Sequence, residues 1–132
     1  MVGDKTYKAL IIDDEINARL LISELLSFHY PEVSEIDSAQ NTIEANVLIK
    51  ANKYDIIFSD SRMPFENGMS VLNSIQDRKI QLILTTAYDK TATLNSNHSL
   101  YYLQKPIDID DFKQVINHAL DTLQLFEKYL KF

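Results

Sequence analysis

Ile56-Ile57-Phe58 is an uninterrupted apolar run ending in Ser59-Asp60, and it limits the fold more than any other segment. A run this short, apolar at every residue, reads as a strand covered by helices on both faces, as in the middle of a parallel sheet. It starts after one carboxylate, Asp55, and delivers another, Asp60, to an exposed tip followed by Ser61-Arg62-Met63-Pro64. Tyr7 to Ile12 behaves the same way and ends in Asp13-Asp14-Glu15. Two further runs, Ile80 to Leu84 and Leu100 to Leu103, lead into Thr85-Thr86-Ala87 and Gln104-Lys105-Pro106. Four strand ends therefore converge on one place.

Helical patterns lie between the strands. From Ile16, apolar residues recur at Leu20, Leu21, Leu25 and Phe28 until Pro31 stops the continuation. Val33 to Ala39 reads as a second strand, followed by a helix carrying Ile43, Ala45, Val47, Leu48 and Ala51 and ending near Asn52. Val71, Leu72 and Ile75 mark a short third helix. Asp108 to Phe132 is the last helical segment, with Asp108, Asp110 and Asp111 expected in its first turn, where the helix dipole favours negative charge. This alternation predicts an α/β fold, a doubly wound five-stranded parallel sheet with right-handed crossovers. Its site is expected beyond the carboxyl ends of the strands, where the strand order switches.

Composition narrows the function. A chain of 132 residues, 45% hydrophobic with two Gly and three Pro, suits one folded domain and not a disordered or linker-rich segment. A net charge of −6 argues against direct nucleic-acid binding by this segment, because neutralising phosphates needs a basic face. The absence of cysteine excludes disulfides, thiolate metal sites and a Cys nucleophile. The first six residues form no apolar signal core and no stretch is long enough to span a bilayer, so a soluble cytoplasmic protein without membrane contact is expected.

The converging ends supply acids, a hydroxyl and an ammonium. Crowded carboxylates make an oxygen-rich niche for Mg²⁺, and a hydroxyl beside a lysine suits the oxygens of a phosphoryl group. The chemistry reads as Mg²⁺-assisted phosphoryl transfer to a carboxylate. In order and spacing the motifs resemble the receiver domain of two-component response regulators, from about Lys8 to Leu123.

The resemblance implies the flavodoxin-like (βα)5 receiver fold and a phosphorylation switch that is not an enzyme on other substrates. Asp13 and Asp14 match the family's acidic pair, Asp60 its phosphoacceptor, Thr86 its switch hydroxyl and Lys105 its lysine. Gly68 matches the loop glycine and Tyr102 the rotating aromatic. Mg²⁺ is then expected on Asp14, Asp60 and the backbone carbonyl of Arg62, with Asp13 acting through a water. Arg62 and Tyr88, each two residues past a key group, fall where receivers flank the path of the hydrolytic water, so slow dephosphorylation is expected. The implied donor is a sensor histidine kinase or phosphotransfer protein.

Asp13-Asp14-Glu15 with Ala18-Arg19, Thr86-Ala87-Tyr88-Asp89 and Lys105-Pro106-Ile107-Asp108 look like receivers preceding LytTR-type DNA-binding domains. The chain departs from that pattern at Ile16, where a proline is usual, and at Asn95 to Ser99, where alanine and glycine are usual. Two other readings are a stand-alone relay receiver and a Mg²⁺-dependent phosphohydrolase with an aspartyl-phosphate intermediate. Hydrolases of the haloacid dehalogenase type want Asp-x-Asp, whereas Asp13 and Asp14 are contiguous.

One receiver domain is expected over residues 1–132, with 124–132 as a helical extension. Phe112, Ile116, Ala119, Leu123, Phe126 and Leu130 form a heptad-like seam, joined by a second line of Leu125, Tyr129 and Phe132. That extension is expected to be a homodimer contact or the start of a connector to an output domain.

Overall fold

In a computed structural model, which describes residues 5–63, 66–87 and 99–129, the apolar runs become strands. They are β1 (Tyr7–Ile12), β2 (Val33–Ala39), β3 (Ile56–Asp60), the two-residue partners β4 (Arg62–Met63) and β5 (Glu66–Asn67), β6 (Gln81–Thr86) and β7 (Leu100–Gln104). Five of them form one parallel sheet in the order β2-β1-β3-β6-β7, the doubly wound arrangement expected. The chain runs from β1 outward to β2, then crosses to β3 on the other side. A crevice must therefore open between the carboxyl ends of β1 and β3. The antiparallel β4–β5 ribbon just after β3 is not foreshadowed by any apolar pattern.

Helices α1 (Ile16–His29), α2 (Thr42–Ala51), α3 (Gly68–Asn73) and α4 (Ile109–Tyr129) connect and flank the strands. Local chemistry sets their ends. Asn41 caps α2 by accepting the Glu44 N–H at 2.8 Å, and Glu44 reaches back to the Gln40 side chain at 3.0 Å. Asp108 precedes α4 and caps it, accepting the Asp111 N–H at 3.0 Å, so only Asp110 and Asp111 occupy the first turn. Among the described residues no helix is long and apolar enough to cross a membrane.

The core lies in two layers, one on each side of the sheet. Ile11, Phe58 and Ile83 face Ile22 and Leu26 of α1 and Phe112, Ile116 and Leu120 of α4. Leu10, Ile57 and Leu82 face the opposite way, toward Ala45 of α2 and Val71 and Leu72 of α3. Ile56, Ile57 and Phe58 have no exposed surface, which confirms burial on both faces. Phe58 stacks on Phe112 with ring centroids 6.1 Å apart, and truncating a phenylalanine so enclosed costs about 3–5 kcal/mol.

Helical spacing located α1 and α2 and found their inner faces only in part, at Leu25, Ala45 and Leu48. Ile22 and Leu26 are buried, whereas Leu20, Leu21 and Phe28 are 51%, 42% and 82% exposed. Ile43 and Val47 of α2 are also exposed, and Ala45 turns inward. With apolar residues on more than one face, periodicity alone cannot choose between them. In α4 the seam is clear: Phe112, Ile116 and Leu123 pack on the chain's own sheet, and Ala119 between them is buried. Phe126 is half-buried and Leu125 and Tyr129 are exposed, while Leu130 and Phe132 lie outside the described residues. Past Leu123 the helix still meets its own domain, through a Glu127 carboxylate 4.0 Å from the Lys5 ammonium.

Candidate functional site

The crevice between β1 and β3 is where the acids meet. Ile12 and Ser59 are register partners, so Asp13 and Asp60 each stand one residue beyond the same row of the sheet. Asp13, Asp14 and Asp60 each place a carboxylate oxygen so that all three lie within 4.8 Å of one another. Asp13 and Asp60 are buried, at 1% and 7% exposure, and Asp14 is exposed at the mouth.

Lys105 enters from the end of β7. Its N–H donates to the Thr86 carbonyl at 2.7 Å, which seats it beside β6. Its ammonium lies 2.9 Å from Asp13 Oδ2 and 3.4 Å from Asp60 Oδ1. Burial raises the Asp60 pKa above the ordinary carboxylate value, and the charge of Asp13 adds to this; Lys105 and the Arg62 N–H oppose it. Burial alone would lower the Lys105 pKa, but its hydrogen bond to Asp13 and the charges of both acids outweigh that and raise it. One ammonium thus contacts two of the three clustered carboxylates, leaving negative charge in surplus at the crevice.

Asp13 is held at every polar group. Its N–H donates to the Ala39 carbonyl at 3.1 Å, and its carbonyl accepts from Arg19 Nη1 at 2.7 Å. One carboxylate oxygen accepts the Glu15 N–H and the other the Lys105 ammonium, each at 2.9 Å. The Asp14 carboxylate is left at the mouth. Hard oxygen donors, surplus negative charge and an open side suit a small divalent cation that keeps part of its water, so the residues fit Mg²⁺.

Comparison with known proteins decides the family. The family model described as response regulator receiver domain matches residues 9–117. The chain belongs to that family. An uncharacterized response regulatory protein of Staphylococcus epidermidis is 29% identical over 120 residues, covering 89% of this chain and 46% of that protein. The transcriptional regulatory protein HptR of Staphylococcus aureus is 28% identical, covering 89% of this chain and 48% of its own length. The receiver therefore spans just under half the length of these curated relatives. Among solved structures, the response regulator TrrA of Thermotoga maritima, in complex with Mg²⁺-BeF, superposes with a TM-score of 0.72 at 30% identity, covering 86% of this chain and 99% of that one. The signal receiver domain of an HD domain-containing protein from Pseudomonas fluorescens shares the fold, with a TM-score of 0.77 at 23% identity over 91% and 98% of the two chains.

Of the other expected site residues, Thr86 and Arg62 border the same crevice. Thr85 is the register partner of Asp60, and its carbonyl accepts the Ser61 N–H at 2.8 Å. Thr86 is buried and tied through its carbonyl to Lys105. Tyr102, paired in register with Leu84, is half-buried against the layer built by α2 and α3. Arg62 is exposed on β4, its N–H 3.4 Å from Asp60 Oδ1. Gly68 is the first residue of α3. Tyr88 and Asn95 to Asn97 lie outside the described residues.

Strand-end spacing gives Arg19 no role, although it stands in the Ala18-Arg19 motif. The signal for its contact is its place one turn into α1, close enough for a long side chain to reach back over the strand end.

Proposed function

We propose that this receiver is a phosphorylation-dependent switch in which Asp60 takes a phosphoryl group from a sensor histidine kinase or phosphotransfer protein. The observation that carries the reading is the convergence of Asp13, Asp14 and Asp60 beneath Lys105 at the sheet's switch point. An Asp60 oxygen attacks phosphorus as the donor's histidine nitrogen departs, so a carboxylate is replaced by an acyl phosphate. Mg²⁺, when bound, supplies the positive charge that offsets the crowded oxygens. Asp14, Asp60 and the Arg62 carbonyl would hold it directly, and Asp13 through a water. Both Asp13 oxygens are already engaged by Lys105 and Glu15, whereas Asp14 is exposed, which supports that division.

Lys105 lies within reach of both buried acids and can transfer its grip from Asp13 to a phosphoryl oxygen. Thr86 holds another oxygen, and with Tyr102 it carries the change into the α2–α3 face as a population shift. Arg62 and Tyr88 flank the path of the hydrolytic water and prolong the modified state. The output is transcriptional, through a LytTR-type DNA-binding segment outside this chain, with Gln124 to Phe132 serving as dimer contact or connector. Exposed Leu125 and Tyr129 support that role for the extension.

Fluoroberyllate, a phosphoryl mimic, tests the site. With Mg²⁺ it should bind the wild-type chain at one equivalent and fail to bind Asp60→Asn. Equal binding by both proteins would remove Asp60 from the proposal.

A further inference from the structure

Helix α1 begins without the usual support. Glu15 at its N-cap makes no side-chain capping bond, and the first turn contains no acid. The turn that joins β1 to this helix nevertheless carries Asp13 and Asp14, whose directions define the cation niche. Something other than a cap must fix that turn.

The Arg19 side chain provides the fixing contact. Its backbone is anchored in the first turn of α1, where its N–H donates to the Glu15 carbonyl at 3.2 Å, and its side chain folds back so that Nη1 meets the Asp13 carbonyl at 2.7 Å. That carbonyl belongs to the peptide joining Asp13 to Asp14. Turning this peptide about the Asp13 Cα–C bond would carry the Asp14 backbone and side chain with it, so gripping the carbonyl fixes where the Asp14 carboxylate points. Asp13 is already restrained from the sheet side by Ala39 and from within the site by Lys105. Among the described residues, Arg19 is the side chain that grips this peptide from the helix side.

We infer that Arg19 is a positioning residue for the cation site, acting on Asp14 through the Asp13–Asp14 peptide. The inference rests on the Mg²⁺-dependent switch proposed above. It differs from a purely electrostatic role, in which a guanidinium beside three carboxylates would offset their repulsion and compete with a bound cation. The two roles have opposite signs for metal affinity. Removing a positioning group weakens Mg²⁺ binding, whereas removing a competing cation tightens it.

The test is a calorimetric Mg²⁺ titration of wild type, Asp14→Ala, Arg19→Met and Arg19→Lys, with the melting temperature of each measured in metal-free buffer. Arg19→Met should weaken Mg²⁺ about tenfold, the low end of losses seen when groups orienting metal ligands are removed. Arg19→Lys, which keeps a donor of similar reach, should recover most of that loss. A role in packing alone would lower the melting temperature of Arg19→Met and leave the Mg²⁺ affinity of the folded protein unchanged, which overturns the inference. Tighter Mg²⁺ binding in Arg19→Met overturns it in favour of charge competition. Wild-type affinity in Asp14→Ala would instead refute the metal site itself, whatever Arg19 does.

Discussion

Two lysines, Lys8 and Lys105, have side chains equally exposed at 24%, and each bridges acids at opposite ends of the same sheet. Lys8, near the amino end of β1, pairs with Glu35 at 3.4 Å and Asp37 at 3.7 Å, donates to Asn52 at 2.9 Å and lies over the Tyr54 ring. Its acidic partners have side chains 67% and 38% exposed, so water already solvates them. The partners of Lys105, Asp13 and Asp60, have side chains 1% and 10% exposed. The two aspartates of β3 and its approach differ in the same way. The Asp55 pKa is raised by burial, as that of Asp60 is, but Asp55 accepts the Lys8 N–H at 2.9 Å and binds strands together. Among the described residues, the Asp60 carboxylate has longer contacts, at 3.4 Å, and a second acid beside it. A lysine among acids thus marks a candidate site where burial and mutual repulsion leave negative charge unanswered.

The comparison breaks most readily on metal affinity. Asp14→Ala should weaken Mg²⁺ by tenfold or more, roughly the scale of losing a ligand or its support, while Glu15→Ala and Asp37→Ala stay close to wild type in calorimetric titration. Comparable losses in all three variants would make the acidic end a diffuse electrostatic surface and not a site.

Stability should separate the two lysines next. Lys105→Ala leaves Asp13 buried with its partner removed and should cost about 2 kcal/mol in urea unfolding. Lys8→Ala breaks pairs with solvated acids and should cost about 0.5 kcal/mol. Equal losses would mean that exposure of the lysine, and not burial of its partners, sets the energetics.

Acid dependence sharpens the contrast further. Because the folded-state pKa of Asp60 lies above its unfolded value, protonation favours the fold. Its contribution is complete below about pH 4 and is lost as pH rises through the raised value. Metal-free protein should therefore lose stability with rising pH over that window, and Asp60→Asn should reduce the slope. Asp55, raised in the same direction, keeps the remainder. An unchanged slope in Asp60→Asn would show that burial of Asp60 carries no such cost.

What the sequence revealed follows the same physics. Strand ends were legible because continuous apolar runs such as Ile56 to Phe58 admit few alternatives, and because Asp13, Asp60, Thr86 and Lys105 interrupt such runs abruptly. The inner faces of α1 and α2 were only partly legible, since Leu25, Ala45 and Leu48 face the core whereas Leu20, Leu21, Ile43 and Val47 are apolar yet point outward. Arg19 stood out only as part of a motif, and its role was not legible for a different reason: its contact is to a backbone carbonyl, which every residue has, so no pairing of side-chain types marks it. The β4–β5 ribbon was equally silent, being two residues on each side.

The smallest expected effect concerns the helical extension. Ending the chain after Leu123 should lower the light-scattering mass toward that of a monomer and change stability by about 1 kcal/mol, because it removes the solvated Lys5–Glu127 contact and the half-buried Phe126. An unchanged mass would rule out a dimer contact in Gln124 to Phe132.

The most direct measurement is intact-mass and peptide-level spectrometry after incubation with acetyl phosphate and Mg²⁺. The account predicts one added phosphoryl group, mapped to Asp60, dependent on Mg²⁺ and absent from Asp60→Asn. Wild-type labelling of Asp60→Asn, or labelling of the native chain at another residue, would contradict it.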